Sequence, residues 1–149
     1  MSITVAKFGG TSLCDAQQFR KVRDIVLSDP SRRFIVASAP GKRFDTDEKI
    51  TDLLLKCHAA AAVGDSFEAP FRQIRERFDE IIEALGVSFP LDREMETLCQ
   101  RLKQDPQADY AASRGEYLCA RILAGYLGFT FVDPEWCDAS TRAASWICP

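Results

Sequence analysis

The chain has a single histidine, His58, and its six cysteines at 14, 57, 99, 119, 137 and 148 include no C-x-x-C pair. Neither a zinc ribbon nor a dithiol redox motif can be drawn from such spacing. The cysteines read instead as reduced, mostly buried thiols standing in for small apolar residues, as in a cytosolic protein. Long apolar runs are also missing. The longest, Ala59–Val63, is far short of the ~20 residues a membrane span needs. The start, Met1–Lys7, has no basic head before an apolar stretch and so no secretory signature. Nor is there a basic surplus: 19 Lys+Arg stand against 22 Asp+Glu, a net charge of −3. A general nucleic-acid binder carries the opposite balance. A small anionic ligand held by a few local cations and backbone N–H groups remains compatible with it.

What is present is ordinary globular chemistry, 46% hydrophobic and 28% charged over 149 residues, enough for one domain with a real core. Ile3–Phe8 is a β-branched and aromatic run ending at Gly9-Gly10, which predicts a buried strand and a tight turn. Leu13, Phe19, Val22, Ile25 and Val26 then recur at helical spacing behind the N-cap types Thr11 and Ser12. Arg33–Ser38 predicts a second strand, apolar on both faces at Phe34–Ala37, and Ala39-Pro40-Gly41 breaks it. Lys42–Lys49 is polar and predicts a surface loop, with Asp45, Asp47 and Glu48 as a solvated acidic cluster rather than a calcium loop. Helical patterns follow over Ile50–Ala62, Phe67–Leu85, Leu91–Lys103 and Ala108–Leu127, and Phe129–Val132 reads as a third strand. Lone His58 falls inside the first of these patterns and reads as structural. The order is α/β, a three-layer αβα arrangement with a mainly parallel sheet. The tail, Cys137–Pro149, is weakly patterned, with aromatic and thiol groups that look exposed.

Lys7-Phe8-Gly9-Gly10-Thr11-Ser12 is the most informative hexapeptide. A strand delivers Lys7, two glycines let the backbone approach a ligand, and unpaired N–H groups at the following helix start favour an anion. It is not the nucleotide P-loop, because G-x-x-x-x-G-K-[ST] is absent. On residues alone, an ordinary strand–turn–helix explains it as well. Ser113-x-x-Glu116 is likewise readable as a capping box at a helix start.

Three stretches in order carry a resemblance. Val5–Leu13 (VAKFGGTSL) resembles the N-terminal signature of the aspartokinases, in the amino-acid kinase superfamily. Ile35–Arg43 (IVASAPGKR) resembles that family's second-strand motif, and Ser113–Arg121 (SRGEYLCAR) its later helix with S-x-G-E. The resemblance covers nearly the whole chain except the tail. It implies a catalytic role for Lys7, on the transferring phosphoryl group. Gly9, Gly10, Thr11 and Ser12, with Lys7, would lie against the phosphates of ATP. Ser38, Gly41, Thr51 and Glu116 would hold the substrate L-aspartate. No protein metal site is implied; Mg²⁺ would arrive with the nucleotide. The reaction implied is ATP-dependent phosphorylation of aspartate to 4-phospho-L-aspartate, in cytoplasmic biosynthesis of aspartate-family amino acids such as lysine and threonine.

The family's later R-G-G-S-D stretch, its nucleotide-binding half and its regulatory domains have no counterpart in these 149 residues. Residues 1–149 therefore read as one domain, the amino-acid-binding N-terminal part of an aspartokinase-like catalytic domain, with a divergent tail over 137–149. As an isolated chain it is expected to be inactive. Two alternatives stand beside this: a non-catalytic binding remnant, and a related amino-acid kinase acting on another small acid. A sheet cut after its third recognisable strand leaves an open edge, so a homo-oligomer, or pairing with a missing C-terminal half, is expected.

Overall fold

The computed structural model describes residues 3–133 and 146–149. Strand β1 (Thr4–Phe8) leads through a 3-10 turn (Gly10–Leu13) into helix α1 (Ala16–Leu27), and strand β2 (Arg32–Ala37) follows. Helices α2 (Ile50–Ala62), α3 (Glu68–Leu85), α4 (Leu91–Gln104) and α5 (Ala108–Leu127) come next, then strand β3 (Thr130–Val132). The final strand, β4, is Trp146–Cys148.

The helices begin and end where local chemistry allows. Asp15, not Thr11 or Ser12, caps α1, its carboxylate accepting from the Gln18 N–H. The expected helix opening at Thr11 is a separate 3-10 turn, and α1 starts five residues later. The 3-10 turn, which begins at Gly10 itself, and then Cys14 and Asp15 thus separate the Gly-Gly pair from the first α-helix. Helices α3 and α5 both end at glycines in the left-handed region, Gly86 and Gly128, where a side chain would be strained. Helix α5 spans Ala108–Leu127, so Ser113 and Glu116 lie inside it. The capping-box reading is therefore overturned: the Ser113 hydroxyl donates to the Tyr110 carbonyl within the helix, and Gln107 occupies the cap position.

The sheet order is β1-β2-β4-β3. β1 and β2 are parallel, with Ala6 beside Ile35 and Lys7 beside Val36. β4 runs antiparallel to both β2 and β3, so that Ile147 sits between Ile35 and Phe131. The sheet is therefore mixed: three strands share one direction and the fourth, from the tail, is inserted between two of them. Ile147 is fully buried there, and Cys148, a thiol expected to be exposed, is half-buried. Cys137 and Trp136 lie outside the described residues.

Alternation sends Ala6, Phe8, Ile35, Ala37 and Ile147 to one face, where they join a single core with side chains from all five helices. That core includes Phe19, Leu54, Phe78, Leu98 and Ile122. On the opposite face Val5 is 53% exposed and Phe34 38% exposed. The described residues thus form two of the three layers of an αβα arrangement, helices over one face of the sheet. Among the described cysteines, all free, 14, 57 and 119 are buried and 99 and 148 partly so. No described helix is long and apolar enough to cross a membrane.

Candidate functional site

Parallel pairing of β1 and β2 brings their carboxyl ends to one rim of the sheet, the place where open α/β sheets bind ligands. Two loops leave that rim and touch. The Ser38 N–H donates to the Phe8 carbonyl at 3.1 Å, and the Gly41 N–H to the Gly10 carbonyl at 2.8 Å. Contact is too close for side chains: a Cβ on Gly41 would lie 2.7 Å from the Gly10 carbonyl carbon, and one on Gly10 2.9 Å from the Ala39 oxygen. Both glycines are required by this approach. Gly9 has open space around its Cα and is required by none.

A cavity of about 390 Å³ opens over this junction. Its lining takes Gly10, Thr11, Ser38 and Gly41 from the two loops, Thr51 from the first turn of α2 and Glu116 from α5. Helix α5 comes this close because residue 115 is glycine; a Cβ there would sit 2.8 Å from the Ala39 methyl. Six of the residues singled out in the sequence are thereby gathered. Lys7, Gly9 and Ser12 do not line the cavity. Lys7 stands on the exposed face of β1 one residue before the strand end, close enough for its charge to act on Glu116. The Ser12 N–H is turned back onto the Gly9 carbonyl at 3.0 Å.

The Glu116 carboxyl is pushed above its ordinary value by burial, and the Lys7 ammonium pulls partly against that. A half-buried acid on the cavity wall, with a cation near enough to act on it, suits recognition of a ligand carrying both charges. Hydroxyls of Thr11, Ser38 and Thr51 add donors and acceptors.

Sequence reasoning missed Lys42 and Lys49, which also line the cavity. They flank the polar loop, next to Gly41 and two residues before Thr51, and that adjacency was their signal. It missed Arg77 as well. Arg77 sits on the apolar stripe of α3 with Ile74, Phe78 and Ile81, and an arginine on such a stripe demands partners. Its guanidinium donates to the carbonyls of Gly41 at 2.7 Å, Glu48 at 3.0 Å and Cys14 at 3.3 Å, and pairs with Asp47 at 3.2 Å. Asp47 also accepts from the Arg43 side chain and backbone, both at 2.9 Å, and these bonds hold its carboxyl well below the carboxylate range. The acidic loop is therefore not simply solvated: Asp47 is tied down by two arginines. No described group of three or more His, Cys, Asp or Glu could hold a metal ion.

No model of a known protein family matches the chain. Over 138 residues it is 33% identical to aspartokinase 3 of Bacillus subtilis, across 89% of this chain and 30% of that protein. The solved structure of Clostridium acetobutylicum aspartate kinase superposes with a TM-score of 0.87 at 44% identity, over 89% of this chain. The chain is an aspartokinase homologue. Escherichia coli aspartokinase III, solved with aspartate and ADP, superposes with a TM-score of 0.67 at 28% identity, over 85% of this chain and 29% of that one. The homologue thus spans about 30% of the length of the curated relatives it matches. Its α/β fold is the one found over that portion of aspartate kinase.

Proposed function

We propose that the cavity between the two glycine loops binds L-aspartate and that residues 1–149 are the amino-acid-binding part of an aspartate kinase catalytic domain, with 137–149 as its divergent segment. The reaction served is transfer of the γ-phosphoryl group of ATP to the side-chain carboxylate, giving 4-phospho-L-aspartate for biosynthesis of lysine and threonine in the cytoplasm. The observation that carries this reading is the convergence of Thr11, Ser38, Thr51 and Glu116 on one cavity at the carboxyl rim, flanked by Lys42 and Lys49. In this reading Glu116 receives the substrate ammonium and the cations receive its carboxylates. Lys7 stands beside the cavity to neutralise charge that develops on the transferring phosphoryl group. The Gly10–Thr11 backbone, with Gly9 and Ser12 beside it, faces the phosphates of ATP. Mg²⁺ comes with the nucleotide and neutralises its phosphates.

Phosphoryl transfer depends mainly on positioning and charge neutralisation. The 149-residue chain covers under a third of its relatives' length, which supports binding without turnover by this chain alone. The exposed Ile3 and Val5 support association, with a second copy or with further aspartokinase sequence.

Calorimetric titration with L-aspartate and L-asparagine, followed by hydroxylamine trapping of acyl phosphate in the presence of ATP and Mg²⁺, tests this. Uptake of L-aspartate in preference to L-asparagine, without hydroxamate, is the expected result. No preference for the acid overturns the substrate assignment, and ATP-dependent hydroxamate overturns the claim that this chain does not turn over alone.

A further inference from the structure

Arg77 is the one charged or polar residue buried among the described residues, and it belongs to a helix that contributes nothing to the cavity wall. We infer that Arg77 is a positioning residue for the candidate site, fixing from beneath the backbone that carries Gly41, Lys42 and Lys49 to the cavity. The inference rests on the reading of that cavity as the acid-binding site.

The geometry is that of a keystone. Its three carbonyl partners come from three separate segments: Cys14 after the 3-10 turn, Gly41 at the loop junction and Glu48 at the end of the polar loop. The Gly41 residue is held from both sides, its N–H by Gly10 and its carbonyl by Arg77. The loop between Gly41 and Glu48 is drawn onto α3 a second time where Asp47 meets Arg77 and Arg43, and a third where Arg43 reaches Glu80 at 3.0 Å. Lys42 and Lys49, which line the cavity, are the residues next to these two tethered carbonyls. Only a planar fork with several donors serves three carbonyls and a carboxylate from one side chain; an ammonium on a flexible stem does not. The Nε of Arg77 makes no bond, so the binding is done by the two terminal nitrogens. A role confined to stability would be met by any packing that fills α3's apolar stripe. Convergence on the loop that builds the site assigns Arg77 a further role there.

The test uses the full chain, isotope-labelled, with L-aspartate as the probe. Arg77→Lys and Arg77→Met are expected to weaken L-aspartate binding about tenfold or more, equivalent to about 1.4 kcal/mol. Exchange of the Gly41 amide should accelerate by a similar factor, while amides in the buried middle of α5 keep their protection. Asp47→Asn leaves Arg77 its carbonyls and should give a smaller change of the same sign, and it serves if the Arg77 variants do not fold. Arg72→Ala, an exposed position on the same helix, is the control with no expected effect. Wild-type affinity and wild-type Gly41 protection in these Arg77 and Asp47 variants overturn the inference. A wild-type chain that takes up no L-aspartate overturns the reading of the cavity instead, and Gly41 exchange then decides on Arg77 alone.

Discussion

The peptide of Gly41 lies directly on that of Gly10: its N–H donates to the Gly10 carbonyl at 2.8 Å, and neither residue has room for a Cβ. This contact joins the loop after β1 to the loop after β2 and forms the floor of the candidate site. It also divides the glycines of the hexapeptide by role.

Gly41→Ala should therefore be costly and Gly9→Ala cheap. The new methyl at 41 would collide with backbone, which cannot swing aside as a side chain can, and overpacking of this kind costs about 1–3 kcal/mol. Gly9 is extended, with nothing within 4 Å of a built Cβ, so its change should stay within about 0.5 kcal/mol. Urea unfolding of the two variants checks the contrast. Equal losses would show that the loop junction is not the rigid element.

Glu116 sets a pH dependence. Its folded value is raised by burial above the ordinary 4.5, so the folded chain binds the proton more readily than the unfolded chain. Stability then falls as pH rises from about 4.5 through the raised value, opposite to the behaviour of a salt-bridged acid. Glu116→Gln should flatten that part of the profile and raise stability at neutral pH relative to wild type. Lys7→Met, which removes the cation that partly offsets the burial, should move the Glu116 titration further upward by carboxyl NMR. A Glu116 titration unmoved in Lys7→Met would separate Lys7 from the site.

Much of this was legible in the sequence. The periodicity over Ile50–Ala62 and Ala108–Leu127 gave those helices their observed bounds, because apolar spacing and the glycines beyond each end agree. Glu116 and Thr51 were placed in the site by resemblance, and the cavity contains both. The tail was not legible, for a physical reason. A three-residue strand has no period to read, and Trp146–Cys148 is a strand through its pairing with β2 on one side and β3 on the other. Arg77's place on an apolar stripe called for partners without naming them: three of its four are backbone carbonyls, which carry no residue-type signature.

That inserted strand gives a prediction of its own. Ile147 is fully buried between Ile35 and Phe131 and belongs to the main core. Ile147→Ala should cost about 2–5 kcal/mol, the range for truncating a buried isoleucine. Cys148→Ser, at a half-buried position of the same strand, should cost less. Thermal unfolding of the pair checks this, and an Ile147→Ala variant as stable as wild type would detach the tail from the sheet.

Gly115 links helix packing to the site. A Cβ at this position meets the Ala39 methyl at 2.8 Å and the side chains of Ile50 and Leu54 at 3.2 Å, so α5 lies against both α2 and the second glycine loop. Glu116 is the next residue, and any outward shift of α5 carries its carboxylate away from Thr51. In a helix interior, alanine is otherwise favoured over glycine by about 1 kcal/mol. Gly115→Ala therefore sets a propensity gain against a steric loss of about 1–3 kcal/mol from overpacking. The contact at 2.8 Å is shorter than packed carbons tolerate, and Ala39 belongs to a loop pinned at Gly41, so the steric loss should win. The variant should be less stable than wild type, and L-aspartate affinity should fall with it because Glu116 is displaced. Gly125→Ala is the comparison on the same helix: its Cβ would meet only Val87 at 3.4 Å, an ordinary contact, and the propensity gain should leave it at least as stable as wild type. Urea unfolding and L-aspartate titration of both variants decide the matter, and a stabilised Gly115→Ala with unchanged affinity would show that α5 has slack against the loop.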